Sequence, residues 1–110
     1  MKNKSIDSPE ERFYHGSCCC NNFLFIHGGY NFGELNDFWK FDIKSQKWIM
    51  IKNNSNLKPS ARYHHQMFSF ENKIFLIGGI FKDISFKEIW EYDITLNIWK
   101  NISKFIYFSN

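Results

Sequence analysis

The sequence has no long apolar run, and none close to its first residue. No stretch approaches the ~18 apolar residues that a membrane-spanning helix requires. Residues 1–5 lead to Asp7, Glu10 and Glu11 without the apolar segment of a secretory signal. These absences predict a cytoplasmic location and no membrane partner.

Arginine is scarce, with two residues against 12 lysines. The net charge is +3, and the lysines are scattered among aspartates and glutamates. A nucleic-acid-binding surface would need basic residues gathered in a run or on one face. Dispersed lysines are typical of solvated strands and turns, so the sequence predicts no nucleic-acid partner.

Valine is absent and Ala61 is the single alanine, so 14 isoleucines and 13 phenylalanines supply much of the apolar side-chain surface. The composition is 44% hydrophobic and 20% aromatic over 110 residues. Such a composition excludes a disordered chain. The length suits one small domain.

The spaced cysteine pairs of common metal sites are missing. Cys18, Cys19 and Cys20 are consecutive, whereas zinc sites usually separate paired thiols in the sequence. Consecutive side chains on a strand point to opposite faces, so these thiols would not converge on one ion. We expect no metal and no disulfide here, as is usual in a reducing compartment.

No arrangement typical of a catalytic site stands out. The four histidines are His15, His27, His64 and His65. The sequence shows no Ser/His/Asp pattern, no carboxylate pair and no glycine-rich phosphate loop. It therefore predicts no catalytic residue and no cofactor.

What the sequence does contain is an internal repeat. Seven residues recur 50 positions later: Pro9, Arg12, His15, Asn22, Phe25, Gly28 and Gly29, matched by Pro59, Arg62, His65, Asn72, Phe75, Gly78 and Gly79. Five more recur 51 positions later: Trp39, Asp42, Ile43, Trp48 and Ile51, matched by Trp90, Asp93, Ile94, Trp99 and Ile102. One inserted residue between the two sets belongs in a loop. The chain is therefore a duplicated supersecondary unit.

Each unit is predicted to contain four strands, since no segment has a sustained helical period. The strands expected in the first copy are 16–20, 23–29, 37–42 and 48–51, and those in the second are 65–70, 73–80, 88–93 and 98–103. Glu71-Asn72 is a tight-turn signal between two of them. Residues 74–77 are continuously apolar, which predicts burial on both faces of the sheet.

The repeated pattern resembles the kelch repeat. Its parts are P-x-x-R-x-x-H, an apolar strand ending in Gly-Gly, W-x-[FY]-D, and a second tryptophan nine residues after the first. The copies are Pro9-x-x-Arg12-x-x-His15, Gly28-Gly29, Trp39-Lys40-Phe41-Asp42 and Trp48, then Pro59-x-x-Arg62-x-x-His65, Gly78-Gly79, Trp90-Glu91-Tyr92-Asp93 and Trp99. The match covers residues 9–103, and a repeat of about 50 residues is that of the family.

The resemblance implies an all-β fold of two four-stranded antiparallel β-propeller blades. We expect the blades to pack face to face, with Trp39 and Trp90 in or beside the packed layers. The predicted division is a tail at 1–8, repeat 1 at 9–52, a linker with repeat 2 at 53–103, and a tail at 104–110. Four motif residues are expected to form local hydrogen bonds rather than to perform chemistry: Arg12, His15, Arg62 and His65.

Two blades alone cannot close a propeller ring, which typically has about 4–8 blades. Three interpretations follow: a fragment of a longer kelch protein, a chain whose copies associate, or a short protein whose open faces are covered by a partner. The first is favoured, since stacked repeats without caps are poorly soluble. The apolar residues 105–108 are expected to be a linker into a further blade or a strand on an open edge.

The functional implication of the resemblance is a protein-interaction module, a scaffold or adaptor with an unknown protein partner. The alternative is part of a galactose-oxidase-like enzyme, which would need a copper site of tyrosine and histidine ligands. A fold does not fix a function by itself. The enzyme is disfavoured because the histidines do not form the pattern that such a site requires.

The candidate partner-binding surface lies at one end of the blades. In a four-strand meander, connections alternate between the two ends, so loops 30–36 and 80–87 share an end with the inter-blade segment 53–62. These connections are the longer ones, and long loops on a rigid scaffold usually carry recognition. The candidate binding residues are Tyr30, Phe32, Arg62, Tyr63, Phe81 and Lys82. The alternative is that Phe32 and Phe81 fold back over the sheet rim.

Overall fold

The computed structural model describes residues 7–54 and 56–105. Sheet 1 has the order β1-β2-β3-β4, formed by Gly16–Cys20, Phe23–Tyr30, Glu34–Asp42 and Lys47–Met50. Sheet 2 has the order β10-β9-β6-β5, formed by Ile98–Asn101, Ile89–Asp93, Lys73–Ile77 and Gln66–Phe70. All pairings in both sheets are antiparallel. The predicted all-β fold with two four-stranded sheets is confirmed.

Equivalent tight turns open both sheets. Asn21 and Asn22 have φ values of 52° and 68°, and Glu71 and Asn72 have 46° and 64°. Two successive left-handed residues are the signature of a two-residue hairpin whose twist matches that of its strands. These turns fix the register of β1 on β2 and of β5 on β6, and with it the face to which each side chain points.

The second repeat departs from the prediction after Ile77. We expected one strand over 73–80, but β6 ends at Ile77 and two short strands follow, β7 (Ile80–Phe81) and β8 (Ile84–Ser85). The regular register of β6 on β9 ends at Ile77, but Gly78 N still donates to the Glu88 carbonyl over 3.0 Å and Phe86 N to the Gly79 carbonyl over 2.9 Å. Lys82 and Asp83, with φ values of 48° and 66°, then form the two-residue turn of the small hairpin.

The core lies between the inner faces of the two sheets. Its buried members come from both: Phe25, Phe38, Ile74, Leu76, Trp90, Tyr92 and Trp99. Trp90 therefore lies in the packed layer as expected. Trp39 is 3% exposed, but it follows Phe38 on β3 and so points to the other face of sheet 1.

The prediction that residues 74–77 are buried on both faces of the sheet is wrong. Ile74 and Leu76 are fully buried, whereas Phe75 is half-buried and Ile77 is 38% exposed. The burial alternates because the core contacts one face of β6 only. The other face of sheet 2 also exposes Phe68.

The first strands of the two repeats, β1 and β5, lie side by side. Ser69 Oγ donates to the Cys19 carbonyl over 2.8 Å, and Asn21 Nδ2 donates to Asn72 Oδ1 over 2.6 Å. Cys18 and Cys20 are half-buried against the core, while Cys19 is exposed. Burial raises the pKa of the Cys18 thiol to about 12, which makes it an unreactive packing residue.

Part of the predicted C-terminal tail lies outside the described residues. Ser103–Phe105 form a short 3-10 helix. The role of linker or edge strand expected for residues 105–108 falls mostly on residues 106–108, which lie outside the described residues. The expected tail at 1–8 is likewise described only from Asp7 onwards.

Candidate functional site

Each repeat begins with a buried arginine clamp. The Arg12 guanidinium donates to both carboxylate oxygens of Asp37, over 2.6 and 2.9 Å, and to the Gly28 carbonyl over 3.1 Å. Trp39 Nε1 donates to the same carboxylate over 2.7 Å. Burial alone would raise the pKa of Asp37, but the hydrogen bonds from Arg12 and Trp39 outweigh it and keep that pKa below its usual value.

The second repeat has the same clamp with glutamate in place of aspartate. Arg62 donates to Glu88 over 2.9 Å and to the Gly78 carbonyl over 3.0 Å, and Trp90 Nε1 donates to Glu88 over 2.9 Å. The guanidinium also lies 4.0 Å from the centre of the Phe86 ring. Each clamp thus joins the arginine, glycine and tryptophan positions of the kelch pattern within one blade.

Arg62 does not belong to the surface on which the sequence analysis placed it. Its side chain is fully buried, and burial lowers the pKa of its guanidinium. The hydrogen bonds of its side chain are made within the second repeat. This is the local role expected for the motif arginines. A fully buried arginine cannot contact a partner, so Arg62 is removed from the candidate binding residues.

The segment that leads into the second blade is hydrogen-bonded to the first blade. Gly29 N donates to the Arg62 carbonyl over 2.8 Å, and Arg62 N donates to the Leu35 carbonyl over 3.1 Å. His64 N donates to the Tyr14 carbonyl over 2.9 Å. These bonds hold residues 62–64 against the Gly-Gly end of sheet 1.

Four aromatic side chains meet across this junction: Tyr14, Tyr30, Tyr63 and His64, which we call the aromatic platform. The ring centroids of Tyr14 and His64 are 4.1 Å apart, those of Tyr14 and Tyr63 are 6.3 Å apart, and those of Tyr30 and Tyr63 are 5.6 Å apart. Tyr14 is 58% exposed and Tyr30 is 41% exposed. The platform therefore presents amphipathic rings to solvent while its base is fixed by both blades.

Two members of the platform have left-handed backbone conformations. Tyr14 and His64 occupy equivalent positions of the two repeats, with φ values of 59° and 61°. Such a conformation is uncommon for a residue with a bulky side chain, and residues of this kind cluster at functional sites. Neither residue is among the candidate binding residues predicted from the sequence. The available signal was an aromatic residue directly before each motif histidine.

The remaining candidate residues lie on two neighbouring loops. Phe32 is fully exposed, so it does not fold back over the sheet rim. Phe81 is half-buried, and Lys82 Nζ lies 5.3 Å from the centre of its ring. Lys82 N donates to Glu34 Oε2 over 2.9 Å, which joins the loops of the two blades and lowers the pKa of Glu34.

Among residues 7–54 and 56–105, no group of three or more His, Cys, Asp or Glu side chains is arranged to hold a metal ion. The same residues include no helix with the length and apolar character needed to cross a membrane.

The clamps, the Gly-Gly strand ends and the four-stranded sheets define a kelch-type β-propeller module. The family model for the KLHDC2/KLHL20/DRC7 Kelch-repeats domain matches residues 2–106. The chain therefore belongs to the kelch-repeat family.

Known relatives with similar sequences have different roles. The chain is 26% identical over 113 residues to the negative regulator of sporulation PMD1 of Saccharomyces cerevisiae, covering 88% of this chain and 6% of that protein. It is 26% identical over 103 residues to rat Kelch domain-containing protein 10, covering 88% and 25%. It is 23% identical over 107 residues to N-(sulfonatooxy)prop-2-enimidothioate sulfolyase of Thlaspi arvense, covering 94% and 31%. The chain thus spans less than a third of each of these relatives.

Proposed function

We propose that the chain is a protein-interaction module of a scaffold or adaptor, and that its partner binds at the aromatic platform and the adjoining loops. The observation that carries the proposal is the exposed cluster of tyrosine and histidine rings held across two rigid blades. Tyrosine rings contribute large contact areas and a polar group at little entropic cost, which is why they are enriched among binding hot spots. The rim of the surface would be formed by Phe32, Phe81 and Lys82.

The relatives support a binding role in general terms. PMD1 is named a regulator of sporulation, and kelch-domain proteins recur among the matches. Because one of the relatives is a sulfolyase, we retain one alternative: the chain is part of a propeller enzyme. A stoichiometric metal on the purified chain would favour a metalloenzyme of the galactose-oxidase kind. The cytoplasmic location stays a prediction.

The proposed binding function is tested by selecting peptides from a random displayed library on the purified chain. We expect selected peptides to perturb the NMR signals of Tyr14, Tyr30 and Tyr63 more than those of the β3–β4 turn, which contains Lys44. The reason is that the turn lies at the end of the blades opposite to the aromatic platform. Perturbations confined to the turn would contradict the proposal.

We also propose that the outer sheet faces take further kelch blades, and that in the isolated chain a second copy supplies them. The packed face of sheet 2 has exact repeat equivalents on the outer face of sheet 1: Leu24, Ile26, Trp39, Phe41 and Trp48 correspond to Ile74, Leu76, Trp90, Tyr92 and Trp99. Conversely, Phe68 and Phe75 on the outer face of sheet 2 correspond to Cys18 and Phe25 on the packed face of sheet 1. The outer face of sheet 1 in one copy is therefore complementary to the outer face of sheet 2 in another, and their contact would be heterologous.

The substitution Phe68→Glu is expected to reduce self-association. Phe68 is 46% exposed and its ring stacks on Phe75 with centroids 5.1 Å apart, so a carboxylate there would have to be desolvated in the interface. Sedimentation velocity over a concentration series should show association in the parent chain and a monomer in the variant. The matched control is Leu96→Glu, because Leu96 is 54% exposed in the turn between β9 and β10. A parent chain that stays monomeric throughout would refute the proposal.

A further inference from the structure

Two histidines from different repeats meet inside the junction between the blades. His27 is in β2 and is 1% exposed, and His65 directly precedes β5 and is 5% exposed. His65 Nε2 lies 2.8 Å from the His27 carbonyl oxygen and 3.1 Å from His27 Nδ1. This contact joins sheet 1 to the start of sheet 2.

The hydrogen bonds determine the protonation of both rings. A carbonyl oxygen only accepts, so His65 Nε2 must carry a hydrogen and donate it. His27 Nδ1 faces the same hydrogen and must therefore be an acceptor, which places the hydrogen of the neutral His27 ring on Nε2. His27 Nε2 and His65 Nδ1 are buried without a hydrogen-bond partner among the described residues. Both rings are thus neutral in the packed junction.

If either ring takes up a second proton, the new N–H group has no hydrogen-bond acceptor. A hydrogen on His27 Nδ1 would point at the N–H of His65, and a hydrogen on His65 Nδ1 would be a buried charged donor without a partner. The carboxylates of Asp37 and Glu88 are engaged by the two clamp arginines. The other charged and titratable groups around the pair are cationic or become so on protonation: Arg12, His15, Lys52, Lys58 and Arg62.

The pKa shifts of the two rings have the direction that this geometry requires. Burial lowers the pKa of His65 from 6.5 to about 4, and burial together with neighbouring cations lowers the pKa of His27 well below 6.5. Both shifts favour the neutral ring in the folded chain. The stabilisation is complete above pH 6.5, the value for an unfolded histidine, and is lost as the pH falls from there toward the folded values.

We propose that the His27–His65 pair makes the blade–blade junction an acid-sensitive contact whose protonation separates the two blades. The Tyr14–His64 contact of the aromatic platform spans the same junction, so acid would also dismantle the platform. The second repeat cannot form an equivalent histidine pair, because it has Ile77 at the position of His27.

The test is chemical unfolding of the full chain between pH 7 and pH 5. For His65 alone, a pKa of about 4 against 6.5 gives a rise of about 20-fold in the unfolding constant. The variant His27→Ile takes the residue of the other repeat and keeps the carbonyl that accepts from His65. We expect its rise to be at least about tenfold smaller than that of the parent chain. The control is Lys44→Ala in the β3–β4 turn, which lies outside the junction and should keep the rise of the parent chain.

A second measurement applies even if His27→Ile does not fold. Long-range ¹⁵N–¹H spectra of the parent chain at pH 7 should show His27 and His65 as neutral rings, each protonated at Nε2. Both should stay neutral at pH 5.5 in the folded population. Titration of either ring near pH 6.5 in the folded chain would overturn the proposal, as would equal pH dependence of the parent chain and His27→Ile.

Discussion

The variant Arg62→Ala is expected to lose about 1.5–3 kcal/mol of unfolding free energy, the usual contribution of hydrogen bonds to a charged group, because the Glu88 side chain is 32% exposed and regains water. Arg62 is fully buried, and its removal leaves the Glu88 carboxylate and the Gly78 carbonyl without their guanidinium donor. A small domain has a total stability of roughly 5–15 kcal/mol. The loss should therefore be a large fraction of the total stability.

The measurement is urea unfolding followed by tryptophan fluorescence. The matched control is Lys73→Ala, which removes an ion pair with Glu91 at 3.5 Å from a lysine side chain that is 42% exposed. An exposed pair of that kind is worth about 1 kcal/mol at most. Losses of equal size in the two variants would show that the arginine clamp does not stabilise the blade.

The second large effect is expected for Gly28→Ala compared with Gly78→Ala. The two glycines are repeat equivalents with φ values of 68° and 71°, so alanine meets the same backbone strain of about 1–2 kcal/mol at either position. A Cβ at position 28 would lie 2.7 Å from the Arg62 carbonyl oxygen, whereas at position 78 the nearest atom would be 3.7 Å away. The Arg62 carbonyl belongs to the backbone of the second blade's leading segment and cannot move without disturbing the junction.

The difference between these two variants measures the inter-blade contact. We expect Gly28→Ala to be about 1–3 kcal/mol less stable than Gly78→Ala, the typical cost of overpacking. Thermal unfolding at one protein concentration would determine it. Equal melting temperatures would mean that the close approach of the two blades at Gly28 contributes nothing to stability.

The regular part of the fold could be predicted from the sequence because its signals are local. The turn signal at Glu71-Asn72 specifies a hairpin from adjacent residues, and the repeat places an equivalent turn at Asn21-Asn22. The β7–β8 hairpin was missed because Gly78 and Gly79 were taken as the end of a strand. The hairpin depends on a two-residue turn at Lys82-Asp83, where both residues are left-handed although neither is glycine or asparagine.

Burial in the junction could not be predicted, because it depends on how two blades pack. Arginine is a residue type enriched in protein interfaces, yet the charge of Arg62 is neutralised inside the blade by Glu88. Tyr14 and His64 are separated by 50 positions and come together only across the junction. The sequence placed Tyr30 and Tyr63 at one end of the blades, but it did not indicate which aromatic rings would share a surface.

The central claim is that a protein partner binds at the aromatic platform. The most direct test is the affinity of a selected peptide for the double variant Tyr14→Asn/Tyr30→Ala, in which both rings are exposed and the left-handed position receives asparagine. Loss of a hot spot costs about 2 kcal/mol or more, so the dissociation constant should rise at least about 30-fold. The control Lys44→Ala/Lys47→Ala, at the opposite end of sheet 1, should leave it within about twofold. An unchanged affinity in the tyrosine variant, with loss in the lysine variant, would contradict the claim.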